Sequence, residues 1–221
     1  MAGWPQDQAV GLRRGVLLLV VAVLLVGAVW ALWPRAPRRS PDVAAATSAP
    51  TTVVFLGDSI TEGHRLPADV AFPHRLGQAL GVRAINAGIS GDTTAGGLRR
   101  LERDVLAHGP RLVVVGLGVN DAFGQSPQET TLANLREITR RLRAQGTTVV
   151  LLHSAVPGVA GDGYRSGLRE IARSEGATLV EDFLLGVVPA HTYDGLHPDE
   201  QGQAMLAERL LPVLRQALGR S

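Results

Sequence analysis

Beyond Thr51 the chain alternates between short runs of β-branched and other apolar residues and longer stretches in which apolar positions return every three or four residues. The short runs predict strands at 52–56, 82–86, 112–117, 147–153 and 178–181, each apolar enough to be buried on both faces, as the strands of a parallel sheet are. The helical period predicts helices at 68–80, 94–107, 127–144, 163–174 and 199–218, with Leu132, Leu135, Ile138 and Leu142 marking the buried stripe of the third. Parallel strands need right-handed crossovers, and a helix is the usual crossover. Strand–helix alternation therefore predicts an α/β fold, a three-layer α/β/α, flavodoxin-like domain on a five-stranded parallel sheet. No internal repeat of solenoid length is visible.

The first fifty residues follow another pattern. From Gly15 to Trp33 the sequence is uncharged and almost wholly apolar. At ~1.5 Å per residue such a run crosses a hydrocarbon layer of ~30 Å. Trp30 and Trp33 stand at its far end, where amphipathic rings favour the interface, and Arg13, Arg14, Arg35, Arg38 and Arg39 bracket it. The organisation expected is a short tail (1–14), one N-terminal transmembrane helix acting as a signal anchor (15–34), a linker (35–50) and the α/β domain (51–221). A cleaved signal peptide, giving a secreted protein, is the competing reading, but its apolar core is usually only ~7–15 residues. Two Arg before the span and three after it would weakly keep the domain in the cytoplasm. Long domains are exported largely regardless of flanking charge, and the Ala-, Ser-, Thr- and Pro-rich segment 41–50 suits a spacer, so an extracytoplasmic domain is expected.

Charge and composition exclude some functions. All 22 basic residues are Arg. Residues 1–50 hold five of them against Asp7 and Asp42, leaving 17 Arg against 18 acidic residues in 51–221, so the domain is near neutral and nucleic acid is not an expected partner. The absence of cysteine excludes a thiol nucleophile, disulfides and thiolate metal sites. A nucleophile here must be oxygen or nitrogen.

In a sheet of this kind ligands bind beyond the carboxyl ends of the strands, and that is where the chemistry-bearing residues fall. The first predicted strand runs into Gly57-Asp58-Ser59, the second into Asn86-Ala87-Gly88-Ile89-Ser90-Gly91, and the third into Gly116-Leu117-Gly118-Val119-Asn120-Asp121. Just before the last helix stands Asp194-Gly195-Leu196-His197-Pro198. An Asp three residues before a His, on a bend eased by Gly195, can hold one ring nitrogen and leave the other free as a base. Ser, His and Asp are the parts of a hydrolytic triad, in which the imidazole takes the hydroxyl proton and the carboxylate fixes the tautomer. Each block alone is equally well a capped turn, with Ser59 or His197 as a helix cap.

Together, Gly57-Asp58-Ser59-Ile60-Thr61, the stretch 86–94, Gly118-Val119-Asn120-Asp121 and the stretch 194–198 resemble the four signature blocks of the SGNH (GDSL-type) hydrolases, in order and over about residues 52–215. The second block, with Gly97-Leu98 after it, is most similar to the bacterial branch of arylesterases, acyl-thioesterases and lysophospholipases. The resemblance implies Ser59 as nucleophile, His197 as base and Asp194 as its orienter. It also implies an oxyanion hole from the Ser59 N–H, the Gly91 N–H and the Asn120 side chain, with Asp58 supporting the loops by hydrogen bonds. Val119 departs from the branch's Gly-Gly-Asn-Asp, which leaves Asn120 intact and stiffens the loop after it. The loop 121–125 and Val156-Pro157-Gly158 are expected to border the acyl pocket from their positions. His153 and His191 read as structural or surface residues, and His64, His74 and His108 as solvated or packing ones. A metal site from Asp194, His197 and Asp199 competes on paper, but the resemblance implies a mechanism free of metal and cofactor.

The activity so implied is hydrolysis of acyl esters, namely aryl esters, acyl thioesters or lysophospholipids, by a monomer tethered to a membrane. Carbohydrate O-acetylesterase action on cell-envelope or extracellular glycan is the alternative. A non-catalytic binding module on the same scaffold is a further alternative. A nucleotide or flavin binder would need a differently spaced glycine fingerprint.

Overall fold

The computed structural model of the protein describes residues 50–154 and 162–220. In chain order its elements are β1 (Thr52–Gly57), α1 (Ser59–Glu62), α2 (Phe72–Leu80), β2 (Arg83–Gly88), α3 (Thr94–Asp104), a single 3-10 turn (Leu106–His108), β3 (Leu112–Gly116), α4 (Val119–Phe123), α5 (Gln128–Ala144), β4 (Thr148–Leu152), α6 (Asp162–Glu175), β5 (Thr178–Val180) and α7 (Glu200–Ala217). All five strands pair in parallel, in the order β2-β1-β3-β4-β5. This is the flavodoxin-like order expected from the alternation.

Successive strand residues point to opposite faces, and the core divides accordingly. Val53, Phe55, Val114 and Val150 pack with Phe72, Leu76, Leu206, Leu210 and Leu214, burying α2 and α7 on one face. Val54, Leu56, Val113, Val115 and Leu151 pack with Leu101, Leu135, Ile138, Leu168 and Ile171, burying α3, α5 and α6 on the other. Three layers result.

The structure corrects the sequence reading in several places. The expectation that every strand is buried on both faces fails for β2 and β5, where Arg83, Asn86 and Thr178 are exposed, because these two strands are the sheet edges. The helix expected at 68–80 begins only at Phe72: Ala71 before it has a non-helical ψ of 141°, and Pro73 in the first turn has no N–H to donate to the carbonyl of Asp69 in an earlier turn. The helix expected to reach 107 stops at Asp104, since Val105 leaves helical geometry before the 3-10 turn. Two short helices, α1 and α4, occupy what the sequence suggested were turns.

Register brings the ends of the three strands that carry motifs level: Gly57 pairs with Gly88 on one side and Gly116 on the other. The order of strands reverses around β1, so the loops after β1, β2 and β3 open onto the crevice of a switch point. The expected membrane span and linker, and Val156-Pro157-Gly158, lie outside the described residues. Among the described residues no helix is long and apolar enough to cross a membrane.

Candidate active site

Ser59 is the first residue of α1, directly after β1, and is only 8% exposed. Asp58 caps that helix: its Oδ1 accepts the Ile60 N–H at 3.0 Å, satisfying one of the donors a helix start leaves open. Capping puts Asp58 inside the protein, and burial pushes its carboxyl up to about 6, against the pull of the Ile60 N–H. A Cβ on Gly57 would run into the Thr61 side chain, so glycine here lets β1 turn at once into α1.

The segment 192–198 doubles back on itself through an antiparallel bridge between Thr192 and Pro198, with the Tyr193 N–H donating to the His197 carbonyl at 3.2 Å. Gly195 at its tip has φ +88°, a conformation that favours glycine. Inside this bend Asp194 Oδ1 accepts the N–H groups of His197 (2.8 Å) and Leu196 (3.1 Å), while Oδ2 faces His197 Nδ1 at 2.7 Å. The His197 N–H, followed by its ring, holds the Asp194 carboxyl down at about 2. Being ionised, the carboxylate can only accept, so Nδ1 carries the ring proton and Nε2 is left as an acceptor. Ser59 Oγ lies 3.0 Å from that Nε2. The three side chains thus meet as expected, and a proton can pass from hydroxyl to ring.

Gln203 on α7 joins the C-terminal segment to the segment that carries Ser59. It is almost fully buried; its Oε1 accepts the Phe72 N–H at 2.8 Å and its Nε2 donates to the Ile60 carbonyl at 3.1 Å. Asp199 caps α7 through the Gly202 N–H at 2.8 Å, which gives it a local task distinct from the metal reading. Among the described residues no three His, Cys, Asp or Glu side chains are grouped as metal ligands.

Gly91 lies in the bend between β2 and α3 at φ +77°, with open space where a side chain would stand. Asn120 is the second residue of α4, and its Nδ2 donates to the Asp92 carbonyl at 2.8 Å. A second amide hydrogen stays available. Asp121, buried beside it, accepts the Thr94 N–H at 2.8 Å and the Thr94 hydroxyl at 2.6 Å, tying α4 to the start of α3. Gly118 has φ +119°, and a Cβ there would collide with the Tyr164 hydroxyl, which donates to the Leu117 carbonyl at 3.0 Å. Val119 opens α4 in helical geometry and is buried, so the glycine missing at that position is not required for its backbone. Ile89, just after β2, and Phe123, at the end of α4, leave apolar surface exposed.

The sequence reading missed several residues here. His64, taken as solvated or packing, has its ring centroid 4.9 Å from that of His197, and its Nδ1 lies 2.9 Å from Ser90 Oγ. Tyr193 stacks on the His197 ring at 5.9 Å and donates to the His64 carbonyl at 2.8 Å. Gln203 and Arg100, a buried guanidinium on α3, were also missed. The available signal was a polar residue set among the apolar positions of a helix, as Gln203 is with Leu206, Leu210 and Leu214. His153, read as structural or surface, is buried at the end of β4, and burial pushes its ring below the usual histidine range.

Residues 55–205 match the GDSL-like Lipase/Acylhydrolase family. The chain is 33% identical over 178 residues to an arylesterase of Vibrio mimicus, an alignment covering 75% of this chain and 89% of the relative. It is 32% identical over 178 residues to the thioesterase 1/protease 1/lysophospholipase L1 of Escherichia coli (strain K12), covering 76% and 85% respectively. Among solved structures, a crystal structure of TesA superposes with a TM-score of 0.70 at 33% identity, covering 76% of this chain and 99% of that one.

Proposed function

Because this chain belongs to the GDSL-like lipase/acylhydrolase family, we propose that it is a serine esterase and thioesterase that cleaves acyl esters through an acyl-enzyme on Ser59. The observation that carries the reading is the continuous path from Asp194 through His197 to Ser59, with separations of 2.7 and 3.0 Å. In this reading Ser59 Oγ attacks the ester carbonyl as His197 Nε2 takes its proton, and ionised Asp194 holds the ring in the required tautomer and stabilises the imidazolium. The N–H groups of Ser59 and Gly91 and the free amide hydrogen of Asn120 receive the developing oxyanion. His197 then protonates the leaving alcohol or thiol. In the second half the ring activates a water molecule that releases the acid and restores Ser59. Asp58 serves the nucleophile by capping its helix, with no contact to substrate.

The substrates we propose are aryl esters, acyl thioesters and lysophospholipids, the classes named for the Vibrio and Escherichia relatives. Residues 15–34 are proposed to hold the protein at a membrane, with the domain 51–221 a monomer on the extracytoplasmic side. The uncharged run from Gly15 to Trp33 supports this.

Turnover of p-nitrophenyl acyl esters should fall at least about a thousandfold in Ser59→Ala with folding retained. Unchanged turnover would overturn the reading. Varying the acyl chain then locates the substrate: a rate peak at medium length fits lipid-derived acyl groups, and a peak at acetyl moves the assignment to carbohydrate deacetylation. Protease protection of the domain in intact cells would reverse the extracytoplasmic placement.

A further inference from the structure

Arg100 is 7% exposed, on the buried face of α3 and in reach of the end of β1. Its Nε meets Asp92 Oδ2 at 2.7 Å, its Nη2 donates to the Gly57 carbonyl at 3.0 Å, and its Nη1 reaches Asp104 Oδ2 at 3.5 Å. Gly57 is the last residue of β1, one position before Asp58, and its carbonyl also receives the Ile89 N–H at 3.1 Å. Asp92 follows Gly91 directly. Its Oδ1 accepts the Thr93 N–H at 3.0 Å, and its carbonyl receives the Asn120 amide at 2.8 Å. One guanidinium therefore connects the strand that delivers Ser59, the loop that carries Gly91 and, through the Asp92 backbone, the Asn120 side chain.

The surroundings are shaped to admit this connection. A Cβ on Gly96 would overlap the Asp92 carboxylate, so glycine at 96 lets Asp92 lie against the first turn of α3 and face Arg100. A buried ion pair adds little net stability over apolar residues of equal volume, because desolvation of both charges offsets their attraction. It does fix geometry: a planar guanidinium donates along set directions, and here these lead to two separate backbone segments.

We propose that Arg100 is a positioning residue for the oxyanion site, setting the spacing between Ser59 Oγ and the donors on Gly91 and Asn120 by clamping Asp92 to Gly57. The inference rests on the esterase reading above. Oxyanion stabilisation depends steeply on donor placement, so loosening the clamp weakens transition-state binding while ground-state binding of the acyl chain is kept.

The test is a double-mutant cycle on p-nitrophenyl butyrate hydrolysis with Arg100→Lys and Asn120→Ala. Arg100→Lys alone should lower kcat by about 10- to 100-fold with KM changed less than about threefold. In the Asn120→Ala background the same substitution should cost severalfold less than it does in wild type, since one of the two donors it positions is gone and only the Gly91 N–H remains to be displaced. A kcat for Arg100→Lys within twofold of wild type would overturn the proposal. So would a full, additive loss in the Asn120→Ala background, which marks a merely structural role. Should Arg100→Lys not fold, Asp92→Asn, which keeps the side-chain volume and removes its charge, enters the same cycle with the same outcomes. Ser59→Ala runs alongside: retained activity there refutes the esterase reading, whereas its loss with a silent Arg100 refutes this inference alone.

Discussion

Gln203 Nε2 donates to the carbonyl oxygen of Ile60 at 3.1 Å, joining residues 143 positions apart in a fully buried contact. Ile60 is the neighbour of Ser59, and Gln203 lies one turn into the helix that follows His197. This amide therefore holds the segment carrying His197 against the segment carrying Ser59.

Replacing Gln203 by Met keeps the volume and leaves the Phe72 N–H and the Ile60 carbonyl without their side-chain partner. A buried polar group stripped of its partner costs about 1–3 kcal/mol, so Gln203→Met should lose about 2–6 kcal/mol for the two groups together. Urea unfolding at neutral pH reads that loss. Because the Ser59–His197 distance depends on the same contact, kcat should fall by about tenfold or more, with a smaller change in KM. A variant as stable and as active as wild type would show that the amide does not set this docking.

Tyr193 offers a separation of two effects. Its ring stacks on His197 at 5.9 Å, and its hydroxyl donates to the His64 carbonyl at 2.8 Å, linking positions 129 residues apart. Tyr193→Phe removes only the hydrogen bond, worth about 1 kcal/mol at an exposed position, and should lower kcat by about two- to fivefold. Tyr193→Ala removes the ring as well and should lower it by tens of fold through freedom of the imidazole. The melting temperature should move little in either variant, since the side chain is 37% exposed. Equal kcat in Phe and Ala variants would assign no role to the stack.

Asp58 makes stability depend on pH. Its carboxyl is raised from 3.8 to about 6 on folding, chiefly by burial. Between those values the folded state holds a proton that the unfolded state has released, so the folded state loses stability as pH rises through this window, and the penalty persists above it. A shift of this size corresponds to about 3 kcal/mol. Asp58→Asn, which still presents an oxygen to the Ile60 N–H, should gain up to about that much over wild type at pH 7 and almost none at pH 4. Unfolding curves at the two pH values check this, and an equal difference at both would place the origin of the shift elsewhere.

Much of the site was legible before any coordinates because its parts are local. Asp194 bonds residues two and three positions ahead of it, and Asp58 caps a helix that starts one residue later. Such contacts depend on turn chemistry written in consecutive residues. The positions of the five strands were likewise legible, because an apolar run and a helical period are properties of neighbouring residues. His64 was misjudged for the opposite reason: its proximity to His197 exists only after the chain has closed on itself.

The sequence alone determined the alternation of strands and helices, the three glycine-rich strand ends and the bend that pairs Asp194 with His197, since short-range sterics and hydrogen bonding suffice for each. Tertiary structure alone decided that β2 and β5 are edges, that Ser59 and His197 stand within a hydrogen bond, and that Gln203 and Arg100 are buried as connectors. Burial and the pairing of buried polar groups depend on which surfaces meet, and a contact across 43 or 143 positions has no trace in the residues adjoining either end.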